Sequence, residues 1–109
     1  MLRALTVCAA VTVPLIAHAD PPQLRDCAGA ADRQWCQEAH AMVRKYGPKP
    51  TDYVGMRNIA YCQWTGCGGG FVVDRAGSCA LRRQIMVKFA GRTDGSDDMH
   101  FANCVKAGH

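Results

Sequence analysis

The sequence predicts a small disulfide-rich α+β domain, with one long N-terminal helix packed on a short antiparallel sheet of about three strands. Three observations carry this. Six of the seven cysteines follow an export-type leader in a chain of 109 residues, which reads as a framework of three bridges. Apolar residues recur at helical spacing between Ala31 and Tyr46. Beyond Tyr53, short alternating runs separated by glycine-rich turns read as a meander.

Residues 1–19 have the parts of a cleavable signal peptide. Arg3 supplies the positive start, Ala4 to Ala17 the apolar stretch, and Ala17-His18-Ala19 a small-x-small cleavage site. A transmembrane anchor fits less well, because the run is short, holds Pro14 and meets Asp20-Pro21-Pro22 at once. Cys8 leaves with the leader, and Leu5-Thr6-Val7 before it lacks the small residues of a lipid-attachment site. The expected mature chain is a single domain over residues 20–109, with no membrane span, in the periplasm or secreted from a bacterial-type cell.

That domain of about 90 residues lies near the lower limit for a self-sufficient core. Cross-links contributing about 2–4 kcal/mol each are comparable to the whole net stability of such a domain. Without Arg3 the charge is mild, twelve Lys/Arg against nine Asp/Glu. The basic residues are scattered, so a solvated surface is expected rather than a nucleic-acid site.

The helix over 31–46 places Trp35, Ala39, Met42 and Tyr46 on one face, with Cys36 and Val43 beside them. Asp32 or Asp26 caps its start, Arg44-Lys45 suit its negative end and Gly47-Pro48 stops it. Lys49-Pro50-Thr51-Asp52 links it to the sheet. Ile59, Tyr61 and Gln63 alternate with Ala60, Cys62 and Trp64 as a first strand. Thr65 to Gly70 is a loop, Phe71-Val72-Val73 a second strand, and Asp74-Arg75-Ala76-Gly77 a turn. Leu81 to Ala90, with Ile85, Val87 and Phe89 on one side, is the third. After the polar loop Gly91–Gly95, two readings stay open. Ser96-Asp97-Asp98 starts a C-terminal helix with Met99, Ala102 and Val105, or Met99, Phe101, Asn103 and Val105 form a last strand.

Cys27, Cys36, Cys62, Cys67, Cys79 and Cys104 allow fifteen pairings. Cys27 can reach Cys36 only if the chain turns back before the helix. A link from Cys27 or Cys36 to the strand region is preferred, Cys62 and Cys67 can close a small loop across Gly66, and Cys104 ties the C-terminal element to the core. Only Cys62-x4-Cys67 approaches zinc-ligand spacing, and no C-x-x-C or C-x-x-C-H occurs. Metal and cofactor are therefore not expected.

His40 reads as a surface histidine of the first helix and His109 as a chain end. His100, after Asp97-Asp98, is a candidate general base with an acidic orienter, although no nucleophile motif accompanies it. Glu38, the sole mature glutamate, sits on a polar helix face with Gln34 and Gln37. Gly66-Cys67-Gly68-Gly69-Gly70 offers either an anion-binding nest within reach of Arg57, Arg75, Arg82 or Arg83, or a plain turn beside a disulfide. The turn is preferred. Tyr61, Trp64 and Phe71 around it would suit a partner surface or an ordinary core.

The reading drawn from these residues is an exported binding or inhibitor-like module, non-enzymatic, acting on a protein or cell-envelope component. Its expected surface comprises Tyr61, Trp64, Gly68, Gly69, Gly70 and Phe71 with Arg57 and Arg75. The alternative is a small secreted hydrolase using His100 or Glu38.

Overall fold

Four aspartates organise the chain. In the computed structural model, which describes residues 21–109, Asp32, Asp52, Asp74 and Asp94 each cap the first turn of a helix. Their carboxylates accept from the backbone N–H of Trp35, Gly55 and Gly77, and for Asp94 of both Ser96 and Asp97. Such caps contribute about 0.5–2 kcal/mol each. The helices are α1 (Arg33–Tyr46), α2 (Tyr53–Thr65), α3 (Arg75–Lys88) and α4 (Gly95–Lys106), with short 3-10 turns at Cys27–Gly29 and Cys67–Gly69. The leader and Cys8 lie outside the described residues.

The expected α+β fold is thus corrected to an all-helical one, with no strand or sheet among the described residues. Residues 59–64 belong to α2, the Asp74–Gly77 turn is the cap and first turn of α3, and Leu81–Lys88 is helical. The alternation is deceptive because Tyr61 is 43% exposed while Ile59, Ala60, Cys62 and Gln63 around it are buried. Met56, Ile59, Ala60 and Gln63 instead follow helical spacing. Val87 likewise stands 81% exposed beyond buried Ile85. Phe71-Val72-Val73 is extended, and its pairing is a single antiparallel bridge from Phe71 to Leu24. Of the two C-terminal readings, the helix forms.

The first helix matches its expected face and stop, with Gly47 as its C-cap at φ 85°. The core gathers Ala39 of α1, Met56, Ile59 and Ala60 of α2, Phe71, and Leu81 and Ile85 of α3. Trp35, Met42, Val43, Tyr53 and Phe89 pack around it. Helices α2 and α3 form the most extensive pair, and α4 leans on α3. Ser78, buried in α3, satisfies its hydroxyl by donating to the Ala60 carbonyl at 2.5 Å.

Three disulfides close the structure: Cys27–Cys36, Cys62–Cys67 and Cys79–Cys104. The expected link from the first helix to the Tyr53–Ala90 region is not formed. The 3-10 turn at Cys27 reverses the chain before α1, bringing Cα atoms nine residues apart to 5.6 Å. Cys79–Cys104 fastens α4 to α3, the role expected of Cys104.

Candidate functional site

The glycine segment shows first what is not available to a ligand. Gly66, Cys67, Gly68 and Gly69 all have positive φ, which the glycines tolerate without strain. Three N–H groups here are spent locally: Gly69 and Phe71 donate to the Gly66 carbonyl, Gly70 to that of Cys67. The turn presses against α1, where a Cβ on Gly68 would meet that of Trp35 at 2.7 Å and one on Gly70 the Cys36 carbonyl at 2.9 Å. Gly68, Gly69 and Gly70 therefore serve a close approach of chain segments, and Phe71 is buried in the core. Trp64 is half-buried, with the Arg75 guanidinium 4.5 Å from its ring centre.

Arg57 and Tyr61, one turn apart on α2, do meet a shared space. A cleft of about 280 Å³ is lined by Val54, Arg57, Asn58, Tyr61, Arg82, Ser96 and His100. Helix α2 supplies one wall, α3 contributes Arg82 and the first turns of α4 bring Ser96 and His100. The Tyr61 ring meets that of His100 edge-on, with centroids 6.1 Å apart.

Behind the cleft lies a buried ionic network centred on Asp97, which is 1% exposed. Its Oδ2 accepts from the Tyr53 hydroxyl at 2.5 Å and from the Asp94 backbone N–H at 3.0 Å. The second bond completes a reciprocal capping box at the head of α4. Oδ1 faces Arg57 Nε at 3.2 Å and Arg82 Nη1 at 3.7 Å as an ion pair without hydrogen-bond alignment. Arg57 also reaches Asp94 at 3.4 Å. Burial alone would raise the Asp97 pKa. The Tyr53 hydroxyl, the Asp94 N–H and both guanidiniums outweigh it, and hold the carboxyl below its ordinary value. The bond to Asp97 in turn raises the Tyr53 phenol.

Burial lowers the His100 imidazole, and Arg82 adds to the shift against the opposing pull of Asp97. The shift favours the uncharged ring. Asp97 directs its oxygens to Tyr53, Asp94 and the arginines rather than orienting His100. Glu38 is remote in kind: it accepts from Gln34 on the exposed face of α1 and lines a separate shallow groove with Asp32 and Trp35. His40 is half-buried rather than a free surface residue, its Nε2 3.8 Å from Cys27 Sγ.

Sequence reasoning missed Val54, Asn58 and Ser96 as cleft residues. Asn58 and Ser96 are ordinary polar residues whose meaning depends on α2 facing α4. Helical numbering alone would have joined Val54, Arg57, Asn58 and Tyr61, at intervals of three and four. No helix among the described residues is long and apolar enough to cross a membrane. Comparison with protein-family models, curated proteins and solved structures gives no match, so the reading of this site rests on its own geometry.

Proposed function

We propose that the chain is an exported, disulfide-stabilised binding module that receives an acidic group of a protein or cell-envelope component in the α2–α3–α4 cleft. The observation that carries this is the lining: Arg57, Arg82, Asn58, Tyr61 and Ser96 all offer N–H or O–H donors, and no carboxylate of the described residues lines the space. The balancing acids, Asp94 and Asp97, hold the arginines from behind. Fixed donors of this kind suit an anionic oxygen group. About 280 Å³ is small, so a single acidic side chain or head group is the natural occupant. The bridges favour an oxidising compartment, and together with the leader-like N-terminal sequence they support a periplasmic or extracellular location.

Capture from the producing cell's envelope fraction tests this. The oxidised protein should retain a component that acetate or phosphate releases. Asn58→Asp, which sets a carboxylate in the cleft wall, should lose it while the far-UV spectrum stays helical. Capture unchanged by Asn58→Asp and Tyr61→Ala would remove the cleft from consideration.

A second reading is favoured by one observation, the position of His100 in the lining of the same cleft, where burial shifts its imidazole toward the neutral form. As a base it would support a small hydrolase, with the arginines holding an anionic substrate. A pH-dependent hydrolysis lost in His100→Ala would select this reading; Glu38→Gln should leave it intact.

A further inference from the structure

We infer that Cys27, Cys36 and His40 form a masked metal site, which takes a thiophilic d10 ion such as Zn2+ once the Cys27–Cys36 bridge is reduced. Sγ of both cysteines and a ring nitrogen of His40 lie within 4.8 Å of one another. Cys36 and His40 are one turn apart on α1, so they share a face, and His40 Nε2 is 3.8 Å from Cys27 Sγ. Bonds of about 2.3 Å to sulfur and about 2.0 Å to nitrogen put tetrahedral ligand atoms about 3.5–3.8 Å apart. Two thiolates and an imidazole are a donor set for zinc or copper(I), with water or an open position completing the zinc sphere.

Other bonds hold the Cys27 segment beside α1 when the bridge opens, while the two sulfurs part to the spacing of metal ligands. Arg25 N–H donates to the Gly70 carbonyl at 2.9 Å, and Val72 N–H to that of Gln23 at 2.8 Å. Asp32 N–H donates to the Gly68 carbonyl at 3.2 Å, and Asp26 caps the 3-10 turn through Ala28 N–H. Arg33 closes the segment from α1 by donating to the Ala28 carbonyl at 3.3 Å.

Access singles out this bridge. Cys27 is half-exposed, whereas Cys36, Cys62, Cys67, Cys79 and Cys104 are buried. Thiol–disulfide exchange requires the attacking thiolate to reach sulfur. A dithiol reductant attacks Cys27 Sγ, forming a mixed disulfide and releasing Cys36 as thiolate. Its second thiol then displaces Cys27. The dithiol becomes a disulfide, two electrons pass to the bridge and the two cysteines hold two protons. Binding of Zn2+ by both sulfurs releases those protons.

Brief dithiol treatment of the oxidised protein, followed by alkylation mapping and Zn2+ or Cu+ titration, tests the inference. Cys27 and Cys36 should be the first thiols to appear, and the reduced protein should bind one ion that shields both from alkylation. Co2+ in place of zinc should give thiolate-to-metal charge-transfer bands. His40→Ala should form the same bridge yet weaken binding by at least about 100-fold. The inference is overturned by earlier opening of another bridge, by loss of the helical spectrum when this one opens, by no ion retained, or by equal retention in His40→Ala.

Discussion

The Tyr53 hydroxyl donates to Asp97 across 2.5 Å, joining the first turn of α2 to the first turn of α4 over a sequence separation of 44 residues. The same carboxylate caps α4 through Asp94 N–H and faces Arg57 and Arg82. Position 97 therefore links the helices that wall the cleft.

Asp97→Ala leaves Arg82, 4% exposed, without its counter-charge. Breaking a buried pair from one side costs about 3–5 kcal/mol. Urea unfolding should show a loss of that order. Tyr53→Phe keeps the edge-on contact with Phe89 and should lose less.

Acid should weaken the fold in two stages. His100 has a lowered folded pKa, so the unfolded chain takes up its proton first as pH falls through about 6.5. Stability declines from there until the folded imidazole also protonates. Asp97, also lowered, adds stability that is present above the ordinary value of 3.8 and lost as pH falls through its folded pKa. Urea midpoints measured across this range should fall in both windows, and His100→Gln should remove the upper one alone.

At the glycine turn, Gly68→Ala combines a positive φ of 69° with a Cβ aimed at Trp35. It should destabilise by about 1–3 kcal/mol. Gly29→Ala, with open space around its Cβ, should be close to neutral. Thermal melts of the two variants separate a close-approach role from general intolerance of alanine.

The first helix was legible because cap, face and stop agreed: Asp32, then Trp35, Ala39, Met42 and Tyr46, then Gly47-Pro48. The others were obscured by what they bury. Helix α2 turns Gly55 and Gln63 inward, and α3 buries Gly77, Ser78 and Arg82, so neither core face reads as continuously apolar. Their clearest sequence signal was the capping aspartate, and Asp74 resembled a turn residue because caps and turns use the same side-chain chemistry. Arg57 and Tyr61 were visible as binding candidates. The cleft they share with His100 was not, since it depends on α4 docking across α2 and α3, a long-range arrangement that local spacing does not encode.

Separating Cys79 from Cys104 should therefore affect the site more than the other bridges do. Its ends are 25 residues apart against 5 for Cys62–Cys67. Loop-closure entropy gives about 3.5 and 2 kcal/mol respectively. The Cys79→Ala/Cys104→Ala variant should lose hydrogen-exchange protection in α4 while α1 stays protected.

The most direct test of the cleft as an acid-group receptor is amide NMR during titration with N-acetylglutamate and with inorganic phosphate at neutral pH. Shifts should gather at Arg57, Asn58, Tyr61, Ser96 and His100, saturate for at least one probe and vanish in Asn58→Asp. Shifts scattered over the surface, or centred on the glycine turn or the Glu38 groove, would contradict it.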